Sequence, residues 1–191
     1  MIVVQKMEFS APAVDRQAIF RYALTRLPDE ATEKLLEQCL DAALPVLSYR
    51  VCWTEVPVTV RGNVCDFGSF QLASRRLATH LNGCSRAVIF AATIGLEMDR
   101  LIAKYGRLSP AMGLMLQAVG TERIEALCDT FCAQFSQARP RFSPGYGDLA
   151  LSAQQVIFER LDCPRQIGLT LNDSCVMSPS KSVTAIVALV D

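Results

Sequence analysis

From Ser109 to Phe135 the chain reads SPAMGLMLQAVGTERIEALCDTFCAQF. Ser109-Pro110 supplies a capping hydroxyl and a first-turn proline, which together open a helix. Leu116, Gly120, Ile124, Leu127, Phe131 and Phe135 then follow in steps of three or four residues. That spacing is one buried helical stripe. Beside it runs a second line of Ala118, Thr121, Glu125, Cys128 and Cys132, mostly small and with Glu125 as its one charge. Small residues let something approach closely. Packing by a second helix or a sheet is one reading, and a ligand is the other.

Outward from this helix the period changes. Arg86 to Thr93 is short, apolar and strand-like, and Ser182 to Val190 is apolar on both faces, as a central strand would be. Ser48 to Val60 is rich in β-branched and aromatic residues. Arg61-Gly62-Asn63 turns it toward a second strand at Val64 to Phe67, which predicts a hairpin. Ile167 to Leu171 also reads as a strand, with a loop at Met177 to Lys181. Gln71 to Leu81 reads as a helix stopped by Asn82-Gly83. Ser152-x-x-Gln155 is a capping box for a helix ending near Leu161. The N-terminal part reads as two helices, with Asp29 capping the second and Pro45 near that helix's end. These elements predict an α+β fold, a mainly antiparallel sheet flanked by helices. One domain is expected over residues 1–191, with a helical part at 1–47 and an α+β core at 48–191.

The 191 residues are 51% hydrophobic, enough for a core without disulfide or metal staples. Nineteen basic residues offset nineteen acidic ones. That balance argues against a broad footprint for nucleic acid or an anionic membrane surface. The longest apolar run, Ala87 to Leu96, is about half a membrane span. Met1 to Lys6 is too short for a secretory h-region, so the eight cysteines are expected to be reduced thiols in a cytoplasmic protein.

Standard catalytic signals are missing. The single histidine, His80, lies near a helix end and reads as a capping or surface residue rather than a catalytic one. Neither a P-loop nor a Gly-x-Gly-x-x-Gly motif follows a strand. Cys128 and Cys132 are one helical turn apart and read as buried small hydrophobes rather than metal ligands or a redox pair. No metal ligand and no catalytic acid–base residue is expected.

The stretch Ala138-Arg139-Pro140-Arg141-Phe142-Ser143-Pro144-Gly145-Tyr146-Gly147-Asp148 suits no regular element. Arg141 offers a planar fork that fits a carboxylate. Gly145 lets the backbone approach a ligand closely, and Tyr146 adds a flat face and a hydroxyl. Pro140 and Pro144 limit the loop's freedom before binding. Together these parts suit a small zwitterion with an aromatic or adenine-like moiety. A plain Pro/Gly turn with an exposed arginine has the same composition, and composition alone leaves both open.

Arg141-Phe142-Ser143-Pro144-Gly145-Tyr146 matches the Arg-x-x-x-Gly-Tyr motif of the activation (reactivation) domain of vitamin B12-dependent methionine synthase. Leu171 to Val183, reading LNDSCVMSPSKSV, resembles that family's Leu-Thr-Glu-Ser-x-x-Met-x-Pro-x-x-Ser-Val segment. Glu125-Ala126-Leu127-Cys128-Asp129 looks like its Glu-Ala-Phe-Ala-Glu stretch. The order and separation of the segments also fit. The family domain inside the full synthase is longer, with an N-terminal part and an acidic motif not found here. The chain is similar to the short stand-alone forms.

The resemblance implies that the chain binds S-adenosylmethionine through Arg141, Ser143, Gly145, Tyr146 and Glu125. Arg141 would pair with the methionyl carboxylate, and Glu125 would face the amino group. Gly145 would permit close approach, and Tyr146 would line the pocket. It also implies a role in reductive reactivation, in which the methyl group is positioned for methylation of cob(II)alamin. The implied cobalamin is carried by a partner, a methionine synthase without an activation domain of its own. A flavodoxin-like electron donor completes the set, and neither nucleic acid nor membrane is an expected partner. Two further readings stay open: service to a different corrinoid protein, and a non-catalytic module that senses S-adenosylmethionine or docks on such a protein.

Overall fold

A computed structural model describes residues 3–190. In chain order the elements are β1 (Gln5–Phe9), α1 (Arg16–Tyr22), α2 (Glu30–Ala43), a single 3-10 turn at Leu44–Val46, β2 (Tyr49–Pro57), β3 (Thr59–Arg61), β4 (Val64–Asp66) and β5 (Gln71–Ala73). Then come α3 (Arg75–Leu81), β6 (Arg86–Thr93), α4 (Glu97–Leu108), α5 (Pro110–Cys132), α6 (Ala153–Leu161), α7 (Cys163–Ile167), β7 (Thr170–Leu171), β8 (Met177–Ser178) and β9 (Ser182–Leu189).

The main sheet has the order β1-β2-β6-β9, antiparallel at every junction. Successive side chains on a strand point to opposite faces, and β6 shows why its sequence is an unbroken apolar run. Val88, Phe90 and Ala92 pack with α1, α2 and the α5 stripe, including Leu116, Leu127 and Phe131. Ala87, Ile89 and Ala91 pack into a second core with Leu77 and Leu81 of α3, Ile157 and Phe158 of α6, and Phe67. Both faces of β6 are covered, so no polar face is left to show the alternation. Among the described residues, no helix is long and apolar enough to cross a membrane.

Several elements differ from the sequence reading. Gln5–Phe9 is a strand, not helix. It is an exposed edge strand, and its Lys6 and Glu8 are the charges that keep such an edge from pairing with another chain. Gln71–Ala73 is a strand of the small β3-β4-β5 sheet, and helix begins only after the Ser74 cap. The strand at Ser48–Val60 divides: β2 joins the main sheet, while β3 makes the hairpin with β4. Ile167 ends α7, and only Thr170–Leu171 is strand. The Ser152 box is not formed, because Ser152 is itself helical in backbone angles and its side chain caps nothing. α4 was not foreseen: it has no side-chain cap, although Met98, Leu101, Ile102 and Tyr105 repeat at helical spacing.

β9 is the most instructive difference. It is buried along its length, yet it lies at the sheet's edge and not its centre. The edge is covered by the irregular segment. The Phe142 amide donates to Ile186 O and the Ile186 amide to Phe142 O, each at 2.8 Å, and the Arg139 amide donates to Ala188 O at 3.0 Å.

Candidate functional site

The extended run along β9 decides where its side chains go. Phe142 turns to the α3 side, where its ring lies 5.4 Å from that of His80. Arg141, one residue earlier, turns to the α5 side. There it meets Glu125 and Asp129, four residues apart and so on one face of α5. Arg141 Nη1 donates to Asp129 Oδ1 at 2.5 Å, and Nη2 donates to Glu125 Oε2. The side chains are 21% exposed for Arg141, 36% for Glu125 and 73% for Asp129. The arginine is thus the floor of the cluster and the two carboxylates its outer rim.

Burial works against the guanidinium charge, but the hydrogen bond to Asp129 and the negative charges of Glu125 and Asp129 outweigh it. The pKa of Arg141 is raised, and the residue stays a cation. Cys128 and Cys132 lie beside it with their thiols pushed up, by burial first. They are neutral here, with Cys128 buried as expected and Cys132 partly exposed.

The rest of the loop is a tight turn. The Tyr146 amide donates to Ser143 O at 3.1 Å, and the Gly145 amide to Leu149 O at 2.9 Å. Gly145 has φ +85°, a left-handed backbone that favours glycine. Tyr146 is 61% exposed and sets its ring 5.3 Å from that of Phe142, edge to face. The turn is pinned by Asp148. Its Oδ1 accepts from the Ser74 hydroxyl at 2.5 Å and from the Arg76 amide at 3.1 Å, and its Oδ2 accepts from the Arg75 amide at 2.8 Å. The Ser74 hydrogen bond leads in holding the Asp148 carboxyl down at about 2.

The structure therefore brings Arg141 and Glu125 into direct contact, and it places Ser143, Gly145 and Tyr146 on one turn. The contacts of Tyr146 run through Phe142 and not to Arg141. The sequence reading of the site left out Asp129 and Asp148. Asp129 had a signal, since it stands one helical turn beyond Glu125. Asp148 had none, because its partners lie 72 to 74 residues away.

Lys181 packs on α5 where its two lines run side by side, against Gly120 of the buried stripe and Thr121 of the small-residue line. A Cβ at Gly120 would stand 3.0 Å from Lys181 Cε and 3.0 Å from Met98 Cε. Lys181 Nζ donates to Thr121 Oγ1 at 3.0 Å, and burial draws its pKa down. Two grooves flank Asp129. One of about 680 Å³ runs past Cys132, Phe135 and Pro140 to Arg141. The other, about 380 Å³, runs between Glu125 and the Asp15, Arg21 and Tyr22 side chains of the α1 region. The first is of the size that holds a drug-sized ligand.

His80 closes the last turn of α3, as the sequence suggested, and its carbonyl accepts from Arg139 Nη1. Burial leads in lowering its pKa, with the Arg139 charge adding to it, so the ring is neutral.

No family model matches the chain, and no curated protein matches it by sequence. A solved structure does match in three dimensions: the crystal structure of the MetH reactivation domain bound to AdoHcy. The TM-score is 0.75 at 16% identity, over 98% of this chain and 78% of that one. The chain has the fold of the MetH reactivation domain, an antiparallel sheet flanked by helices.

Proposed function

We propose that this chain binds S-adenosylmethionine and serves as a reactivation protein for cobalamin-dependent methionine synthase, acting on a partner chain in the cytoplasm. The observation that carries the reading is the Arg141–Glu125 pair, set at the sheet edge of this fold by the Arg-x-x-x-Gly-Tyr segment. The neighbour of the same fold is a complex with AdoHcy, which supports the same class of ligand here.

An amino-acid head needs a cation for its carboxylate and an anion for its ammonium, side by side. Arg141 and Glu125 are such a pair and are now bonded to each other. Binding exchanges partners: the ligand carboxylate takes the guanidinium fork, and its ammonium takes Glu125. Ser143, Gly145 and Tyr146 lie on the next turn and supply backbone approach and an exposed aromatic face.

Cobalamin, carried by the partner and reduced by a flavodoxin-like donor, supplies the nucleophile that accepts the methyl group. This chain's residues bind the ligand, orient its sulfonium methyl and exclude water, so the rate gain is one of proximity and orientation. One domain, residues 1–191, carries this role.

The test is calorimetric titration of the purified protein with S-adenosylmethionine, beside Arg141→Ala. Losing a charge-assisted carboxylate contact costs roughly 1.5–3 kcal/mol, so the variant should bind about tenfold more weakly or worse. A parent that does not bind overturns the reading. Binding without methyl transfer to reduced partner cobalamin would reduce the role to sensing or docking.

A further inference from the structure

We propose that the cavity between α1 and α2 binds a small organic anion with an apolar body, a carboxylate or a phosphate monoester, at a site separate from Arg141. Its residues take no part in the S-adenosylmethionine site proposed above, so either reading can fail alone.

The connection between the two helices is built against its own stability. α1 ends in a Schellman turn: the Thr25 amide donates to Phe20 O at 2.9 Å and the Leu24 amide to Arg21 O at 3.1 Å. The residue at the corner of such a turn is left-handed and is ordinarily glycine. Here it is Leu24, at φ 56°, a conformation that a side chain makes costly. Leu24 is also 89% exposed, and Leu27, three residues on, is 92% exposed. The fold gains neither backbone ease nor burial from Leu24. A ligand that covers it supplies the burial.

Leu24 forms one wall of a cavity of about 940 Å³, larger than either groove beside Asp129. Phe20, which is buried, and Pro28 complete its apolar part. The polar part is arginine. Arg16 is engaged, because it bonds Glu33, which lines the cavity, and Glu37, which does not. Arg21 and Arg26 line it too, and among the described residues their guanidinium groups have no acceptor. Three cations against Glu33 and Glu37 leave one positive charge. The other carboxylates of these helix ends do not line the cavity. Asp29 is turned to the Thr32 amide and hydroxyl, at 2.8 and 2.6 Å, and Asp15 caps the far end of α1. Glu30 lies beyond Pro28, at the start of α2.

A guanidinium fork matches the oxygens of a carboxylate or a phosphate. Leu24, Phe20 and Pro28 match a hydrocarbon or a ring, and the volume is that of a small-molecule site. A ligand with both parts is preferred over one with either alone.

Calorimetric titration of the full chain with octanoate and with octyl phosphate, below their micelle concentrations, tests this beside octan-1-ol and inorganic phosphate. At least one octyl anion should bind about tenfold more tightly than octanol, which lacks the charge, and than inorganic phosphate, which lacks the apolar body. Whichever anion binds identifies the head group. Arg26→Gln should weaken it about twofold to fivefold, as loss of an exposed charge contact does. Leu24→Gly should weaken it by a similar factor, while the melting temperature holds or rises because glycine suits the turn. A residue that served only the fold would not separate those two readouts. Octanol or inorganic phosphate bound as tightly as the octyl anions overturns the proposal, and so does a parent that binds no octyl compound. Affinity unchanged in both variants overturns it as well. Arg141→Ala checks the place. It should leave the octyl anions bound as in the parent, and a loss equal to that in Arg26→Gln would overturn the α1–α2 site.

Discussion

Glu122 and Arg123, neighbours in sequence on α5, form an ion pair inside the protein, with Arg123 Nη2 2.5 Å from Glu122 Oε1 and side-chain exposures of 4% and 0%. Adjacent helical residues do not ordinarily face each other. Here the pair closes because the β1–α1 connection folds over it. Arg123 donates to the Pro12 and Ala13 carbonyls at 2.6 and 2.7 Å, and Glu122 accepts from the Asp15 amide at 3.0 Å. The clasp fixes α1 against α5 and builds one wall of the groove beside Glu125.

Removing one partner of such a pair strands the other. Arg123→Met should cost about 3–5 kcal/mol, because Glu122 would be left as an unpaired buried charge and two carbonyls would lose their donor. Urea denaturation gives the number. A loss below about 1 kcal/mol would mean that water or a shifted backbone replaces the guanidinium.

Two glycines where α4 meets α5 should respond in opposite directions. A Cβ at Gly113 would stand 2.8 Å from Gly106 Cα and 3.0 Å from Gly106 N, and backbone atoms cannot swing aside. A Cβ at Gly106 would meet nothing within 4 Å. Gly106→Ala should therefore stabilise by about 0.5–1 kcal/mol through the helix alone. Gly113→Ala should destabilise despite the same gain, since overpacking costs about 1–3 kcal/mol. Thermal melts of the two variants decide it, and equal shifts would refute the close approach.

What the sequence showed was governed by local rules. β6 and α5 were legible because a β-branched run and a capped, periodic stripe are written in consecutive residues. Asp29 was legible as a cap for the same reason. β9 was mistaken for a central strand because its burial comes from helices on both faces and from residues 138–142 along its edge. None of that is encoded in β9 itself. α4 was missed for want of a cap, and β1 because an exposed edge strand has no apolar alternation. At the site, Arg141 and Glu125 were legible through motif and spacing. Asp148 was not, because its function depends on a chain reversal that brings it to the start of α3.

Thiol reactivity follows burial. Six of the eight cysteines are buried, and only Cys132 and Cys175 are partly exposed. Burial pushes the Cys39 and Cys65 thiols up to about 11 and raises that of Cys132 as well. The thiolate is the reactive form, so all three are slow at neutral pH. Cys175, in a left-handed turn at φ 59°, should be alkylated first in the native protein, and the buried six only on unfolding. Peptide mass mapping after brief iodoacetamide treatment checks the order. Early modification of Cys128 would show that the floor beneath Arg141 opens.

Asp148 sets a pH dependence whose sign can be worked out. Its carboxyl titrates at about 2 in the fold against an ordinary value of 3.8, chiefly because it accepts the Ser74 hydroxyl and the Arg76 and Arg75 amides. A group depressed on folding stabilises the native state fully above its unfolded value, and that stabilisation is lost as the pH falls through the folded value. Asp148→Asn should therefore melt below the parent by a constant amount above about pH 4. The gap should shrink between pH 3.8 and 2, as the parent's own carboxylate takes up its proton. The same contacts pin the turn that carries Gly145 and Tyr146. The variant should also bind S-adenosylmethionine more weakly at neutral pH, since a freed loop must be ordered again on binding. Melting points that differ equally from pH 2 to 7 would show that the carboxylate is not what holds the turn. Affinity that survives while stability falls would show that the turn is not part of the binding site.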